Sequence, residues 1–185
     1  MKPIYGLLGG RLKHSLSPQI HKYLCGYEYT LFELPENEVE GFMRKADFSA
    51  INVTIPYKKT VMPYLDRIDL TAKKIGSVNT VKKEKDGSLS GYNTDYFGFC
   101  YLLKRNNIEV KSKKCIILGS GGSAVTVKAV LSDLGAKSVT VISRSGQDNY
   151  DNISKHYDAE IIINTTPVGM FPKNLESPIN LFDFI

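Results

Sequence analysis

The sequence predicts an α/β protein built from two successive parts. Three observations carry this reading. Short apolar, β-branched runs alternate with helix-patterned stretches along the chain. The run Cys115-Ile116-Ile117-Leu118 leads straight into Gly119-Ser120-Gly121-Gly122-Ser123-Ala124, and an apolar helix pattern follows those glycines through Leu134. Strands that alternate with helices need crossover connections, so the sheets they form are mostly parallel. A length of 185 residues suits one domain or two small ones, either large enough to bury a core.

In chain order, residues 4–8 read as a strand, 18–24 as a helix and 29–34 as a strand. A helix over 39–45, a strand over 50–55 and a helical region over 58–66 come next. Residues 79–83 and 88–92 form a hairpin around Asp86-Gly87, a dipeptide suited to the positive φ of a tight turn. A helix over 94–104 ends in the Asn106-Asn107 loop. The second part opens with the strand at 115–118, continues with the glycine loop and its helix, and stops that helix at Gly135, a typical C-terminal glycine. Strands follow at 139–142 and 161–163. The boundary falls near residues 105–112, giving parts 1–105 and 106–185 with the helix from Thr94 as the connection.

Composition narrows the classes. Hydrophobic residues make up 42% and charged residues 23%, which excludes disordered and collagen-like chains. No apolar run approaches the roughly 20 residues of a membrane span, and the N-terminus lacks a signal-peptide plan, so no membrane partner is expected. Cys25, Cys100 and Cys115 are odd in number and scattered, without metal-ligand or disulfide spacing. They read as small core residues of a cytoplasmic protein, with no metal site. The net charge of +5 is spread over short clusters such as Lys82, Lys83, Lys85 and Lys111, Lys113, Lys114. A nucleic-acid footprint needs a concentrated basic stripe with stacking aromatics, so no nucleic-acid partner is expected; a small anionic ligand suits this charge equally well.

A strand that runs into Gly-x-Gly-x-x-Ala and opens a helix is the plan of a Rossmann-type dinucleotide site. Gly119 permits the tight turn, Gly121 lets backbone approach a pyrophosphate, and Ala124 is small enough for helix–strand packing. The N–H groups of Ser120, Gly122 and Ser123 lie around the helix start, where an anion is favoured. The next strand ends in Ser143-Arg144-Ser145. An acid there favours NAD and a base the 2′-phosphate of NADP, so Arg144 points to NADP while NAD stays open. A solvated surface arginine is the plain alternative.

Four stretches of the first part resist explanation by packing. Ser15-Leu16-Ser17-Pro18 sets two hydroxyls ahead of a helix, where capping accounts easily for one of them at most. Asn52-Val53-Thr54-Ile55-Pro56-Tyr57-Lys58 ends a strand with polar groups and a lysine. Gly76-Ser77-Val78-Asn79-Thr80 precedes the hairpin, and Gly91-Tyr92-Asn93-Thr94-Asp95 closes it. Singly, Lys58 reads as a surface lysine and Asp95 as a helix N-terminal acid.

Taken in this order, with the glycine loop and Asn164-Thr165-Thr166-Pro167-Val168-Gly169-Met170 after them, these motifs resemble the shikimate dehydrogenase family. The resemblance spans nearly the whole chain. It implies an N-terminal α/β substrate-binding domain followed by a Rossmann-type NADP domain, and oxidoreduction of shikimate and 3-dehydroshikimate in aromatic amino-acid biosynthesis. It further implies that Ser15 and Ser17 bind the substrate carboxylate, that Thr54, Asn79 and Asp95 bind ring hydroxyls, and that Lys58 sits at the reacting oxygen. Thr165, Val168 and Met170 would lie on the nicotinamide side. A lysine can exchange that proton if burial lowers its pKa, whereas a carboxylate nearby favours the charged form. Lys58 and Asp95 therefore read as a coupled pair whose protonation state the sequence leaves open.

The sequence departs from the family in two places. The second basic residue expected just beyond Arg144 is replaced within Gly146-Gln147-Asp148, and Asp148 would repel a phosphate if it pointed inward. The second part also offers three strands where a Rossmann domain has about six, so it reads as partial and C-terminally shortened. A truncated product, a naturally short homologue and a chain pairing through its sheet edge all fit, the last as a homodimer. Competing functions are a quinate/shikimate dehydrogenase using NAD and a ligand-binding homologue without turnover. A methylene-tetrahydrofolate dehydrogenase, which shares the layout and a lysine, gives no reason for the Ser15/Ser17 pair.

Overall fold

The computed structural model describes residues 2–184. Its contacts separate two units, one ending at Thr94 and one beginning at Asp95.

The first unit carries a six-stranded mixed sheet. Its strands are β1 (Tyr5–Gly9), β2 (Tyr29–Glu33), β3 (Ala50–Val53), β4 (Arg67–Ile68), β5 (Thr80–Lys83) and β6 (Leu89–Tyr92), in the order β2-β1-β3-β5-β6-β4. β1 runs parallel to β2 and β3, with Leu7 facing Leu31 on one side and Asn52 on the other. β5 reverses direction against β3 and β6, and β4 lies parallel to β6. The carboxyl ends of β1, β3 and β6 and the amino end of β5 therefore share one edge.

Helices α1 (Ser17–Cys25), α2 (Glu36–Lys45) and α3 (Leu70–Ile75) connect the strands. Val39 and Met43, one turn apart on α2, are buried in a core with Leu8, Ile51, Val53, Val78 and Val81. That apolar spacing is why α2 forms. α1 buries none of its residues. Cys25 is accordingly exposed, not a core residue as expected, whereas Cys115 is buried and Cys100 half-buried.

The region over 58–66 departs from the expected helix. It is a series of turns ending in a 3-10 turn, Met62–Tyr64, because Pro63 supplies no N–H and restricts the residue before it. β4 and α3 follow where the composition gave no clear signal. α3 is nonetheless well punctuated: Asp69 accepts the Ala72 N–H at 2.5 Å, and Gly76 ends the helix at φ 69°.

The second unit contains α4 (Thr94–Arg105) from Asp95 onward, β7 (Lys114–Leu118), α5 (Gly122–Asp133), β8 (Ser138–Ile142) and β9 (Ile161–Asn164). Among the described residues its sheet is three-stranded and parallel, in the order β8-β7-β9. Alternate residues of β7 feed two cores. Cys115 and Ile117 pack with Ala124, Val127, Val130 and Leu131 of α5, while Ile116 and Leu118 pack with Ile142 and its neighbours on the other face. A strand buried on both faces needs this unbroken apolar run.

Leu103 of α4 lies in the same core as α5, and the Tyr96 hydroxyl donates to the Asp133 carboxylate at 2.9 Å. The contacts divide the chain after Thr94, the first residue of α4, whereas the boundary expected from the sequence lies at residues 105–112. The helix reads as a connector in sequence, but its apolar stripe belongs to the second core.

Candidate functional site

The first unit gathers Ser15, Ser17, Thr54, Lys58 and Asn79 at the shared sheet edge. Ser15 lies in the β1–α1 loop, with its N–H on the Leu12 carbonyl at 2.9 Å. The Leu12 N–H is in turn held by the Glu33 carboxylate at the end of β2, at 2.6 Å. Ser15 Oγ accepts the Ser17 N–H at 3.3 Å, leaving its own proton to donate outward. Leu16 is the N-cap of α1 and makes no side-chain cap, while Ser17 stands inside the first turn. Both serines are half-buried.

β3 ends where Thr54 begins a turn, its carbonyl accepting from Tyr57 at 2.9 Å. That turn is the reason the strand stops short of Ile55. The Tyr57 hydroxyl pins it by donating to the Leu34 carbonyl at 2.6 Å. Half-buried Lys58 follows, and its carbonyl accepts the Val78 N–H at 2.8 Å. This bond ties the lysine's turn to the segment that delivers Asn79.

Asn79 is buried and densely connected. Its carbonyl accepts from Val53 at 2.8 Å and its N–H donates to Tyr92 at 3.0 Å. The Oδ1 atom accepts from the Thr94 N–H at 2.8 Å and from Thr80 Oγ1 at 3.1 Å, while Nδ2 donates to Thr94 Oγ1 at 3.0 Å. The side chain therefore caps the start of α4, one residue before Asp95.

Tyr29 and His21, which complete this scaffold around Asn52, escaped the sequence reading. Asn52 Nδ2 donates to Thr80 Oγ1 at 3.1 Å, and Asn52 Oδ1 accepts from the Tyr29 hydroxyl at 2.6 Å. The His21 ring stacks on Tyr29 with centroids 3.9 Å apart. Burial, and secondarily Tyr27, pushes the Tyr29 phenol up to about 12, so it is a committed donor. The available signal was Asn52 itself, a polar residue inside an apolar strand.

Asp95 stands in the first turn of α4, while the cofactor candidates lie at the carboxyl edge of the second unit's sheet, where β8 and β9 flank β7. In an open parallel sheet that reversal of strand order is where ligands sit. Gly119 follows β7 with φ 102°, and a Cβ there would lie 3.0 Å from both Thr165 Oγ1 and Thr166 Cγ2. Thr165 fixes this approach by donating its N–H and hydroxyl to the Leu118 carbonyl at 2.9 and 2.7 Å.

Gly121 caps α5 through its backbone with no side-chain cap, and a Cβ built on it would meet open space. Ser120 is exposed, Gly122 and Ser123 are half-buried, and Ala124 is 2% exposed against the sheet. An uncapped helix start facing open space fits a dinucleotide phosphate. Ser143 and exposed Arg144 close β8. Beyond β9, Asn164 Oδ1 accepts from the Thr166 N–H at 2.9 Å and hydroxyl at 2.7 Å, and its Nδ2 donates to the Val168 carbonyl at 2.9 Å. Met170 projects 65% exposed from the same loop.

Comparison with known proteins agrees with this layout. Residues 7–81 match the family described as the shikimate dehydrogenase substrate binding domain. The shikimate dehydrogenase (NADP(+)) of Clostridium beijerinckii is 41% identical over 196 residues, which cover 95% of this chain and 72% of the relative. Shikimate dehydrogenase 1 of Peptoclostridium difficile superposes with a TM-score of 0.87 at 36% identity, covering 96% of this chain and 72% of that one. The shikimate 5-dehydrogenase of Thermus thermophilus, solved in complex with NADP(H) and shikimate, gives a TM-score of 0.84 at 29% identity over 98% of this chain and 75% of its own. At 41% identity over 95% of its length to a relative of which it covers 72%, the chain belongs to the shikimate dehydrogenase family.

Proposed function

We propose that this chain carries out the NADP-dependent, reversible interconversion of 3-dehydroshikimate and shikimate, the activity named for its relatives, as a step of aromatic amino-acid biosynthesis. The observation that supports the proposal is the shared sheet edge of the first unit: Ser15 and Ser17 follow β1, Thr54 and Lys58 follow β3, and Asn79 immediately precedes β5. Ser15 and Ser17 hold the carboxylate, and Thr54, Asn79 and Asp95 hold ring hydroxyls. Lys58 Nζ gives a proton to the carbonyl oxygen during reduction and takes one from the hydroxyl during oxidation, as general acid and base. Bound NADPH supplies the hydride for the carbonyl carbon.

On the cofactor side, the uncapped start of α5 at Gly121, Gly122 and Ser123 receives the pyrophosphate. Arg144, with Ser143, receives the 2′-phosphate, and Thr165, Val168 and Met170 line the nicotinamide end. Among the described residues no helix is long and apolar enough to cross a membrane. A cytoplasmic setting and a homodimer complete the proposal.

Calorimetric titration with shikimate, paired with an NADPH-linked assay on 3-dehydroshikimate, tests it. Binding together with turnover is the expected result. Shikimate binding without turnover would instead favour the ligand-binding homologue, and preferential turnover of quinate with NAD would favour the quinate/shikimate alternative.

A further inference from the structure

The resemblance implies a second basic residue beyond Arg144, and the stretch Gly146-Gln147-Asp148 found there carries instead, at Asp148, a charge of the wrong sign for a 2′-phosphate. The structure shows where that carboxylate goes. Asp148 Oδ1 lies 2.8 Å from His156 Nε2, with the two side chains 36% and 22% exposed. His156 ends the 3-10 turn Ile153–His156, and Ile153 of that turn packs on the core of Ile116, Leu118 and Ile142. The histidine is thus anchored through its own turn to the sheet.

The loop is also held in place from within. The Asp148 carbonyl accepts the Ser143 N–H at 3.2 Å. Asn149 N–H donates to Asn152 Oδ1 at 2.9 Å, Asn152 N–H returns a bond to Asn149 Oδ1 at 3.2 Å, and Asn152 Nδ2 donates to the Gln147 carbonyl at 2.9 Å. The backbone around Asp148 has little freedom to turn the carboxylate elsewhere while His156 holds it.

We propose that His156 is a specificity-determining residue for the cofactor: by binding the Asp148 carboxylate it keeps that charge off the 2′-phosphate received at Arg144. The proposal rests on the cofactor reading above. A carboxylate near a bound phosphate opposes it, and the same carboxylate set free is an acceptor for the ribose 2′-hydroxyl of NAD. The His156–Asp148 bond therefore shifts the balance toward NADP in a loop that lacks the second base.

Fluorescence titration of the whole chain with NADPH and with NADH, without substrate, tests this. His156→Phe should weaken NADPH binding by about threefold or more, the size of a partly screened like-charge contact, and leave NADH unchanged or tighter. His156→Phe combined with Asp148→Ala should restore the wild-type NADPH affinity. Asp148→Ala alone, which needs no change at His156, should alter NADPH affinity by less than about twofold, because the charge is already held away.

An unchanged NADPH affinity in His156→Phe, an equal loss for both cofactors, or a marked tightening in Asp148→Ala alone overturns the proposal. Failure of the wild-type chain to bind either cofactor would remove the cofactor reading itself. That result is distinct from normal wild-type binding with unresponsive variants.

Discussion

Asn79 grips Thr94 from both ends of its amide: Oδ1 accepts the Thr94 N–H at 2.8 Å, and Nδ2 donates to the Thr94 hydroxyl at 3.0 Å. A residue at the amino end of one strand thereby fixes the start of the helix that carries Asp95. Asn79→Ala removes a buried partner of the helix start and should cost about 1–3 kcal/mol of stability. Because the same side chain is proposed to hold a ring hydroxyl, KM for shikimate should also rise. Denaturant melts and steady-state kinetics on one preparation check both. Loss of stability with an unchanged KM would reduce Asn79 to a cap.

The proposed roles of Lys58 and the serine pair separate kinetically. Lys58→Ala removes the proton donor and should lower kcat by about 10²–10⁴, with NADPH affinity intact. Ser15→Ala and Ser17→Ala should instead raise KM, each by about tenfold for a lost bond to a charged group, with a smaller change in kcat. Wild-type turnover in the lysine variant, or unchanged KM in both serine variants, would sink the corresponding assignment.

Much of this organisation is legible in the sequence, and the reason lies in the kind of signal each element leaves. β7 is buried on both faces and reads as an unbroken apolar run, so it and the glycine loop stand out in sequence. The hairpin at Asp86-Gly87 is encoded by its turn chemistry, with Asp86 accepting the Ser88 N–H at 3.0 Å. α3 escapes notice because six residues give too few turns for a helical period, although Asp69 and Gly76 mark its ends. The allegiance of α4 is illegible for a different reason. An apolar stripe shows that Leu103 is buried, but not against which core. The candidate residues emerge through ordered motifs, while Tyr29, Glu33 and Tyr57 act through hydrogen bonds to distant strands and loops that no local pattern predicts.

Gly119 and Gly121 should fail in opposite ways. Gly119 combines φ 102° with threonine atoms 3.0 Å from a would-be Cβ, so Gly119→Ala strains the backbone by about 1–2 kcal/mol and displaces the Thr165 loop as well. At Gly121 a Cβ meets only open space, so Gly121→Ala should change stability by about 1 kcal/mol or less, as exchanges at a helix cap do. The methyl group then occupies the space assigned to the pyrophosphate, and NADPH affinity should fall by about tenfold or more. Thermal melts beside cofactor titrations check the pair. A Gly121→Ala variant that binds NADPH normally would place the phosphate elsewhere.

Ser77 offers a test of the first unit's packing that is independent of chemistry at the sheet edge. It is fully buried, and among the described residues its hydroxyl has no hydrogen-bond partner, although its carbonyl accepts from Asn93 Nδ2 at 2.9 Å. A hydroxyl taken out of water without a new partner carries an uncompensated desolvation cost. Ser77→Ala keeps the backbone bond to Asn93, removes only the orphaned oxygen and leaves a void smaller than a methyl group. The variant should therefore be more stable than the parent by about 1 kcal/mol. Chemical denaturation at matched concentrations measures the difference through the transition midpoint at constant slope. A variant less stable than the parent would show that the Ser77 hydroxyl is satisfied in solution, by water entering between β6 and the segment that delivers Asn79.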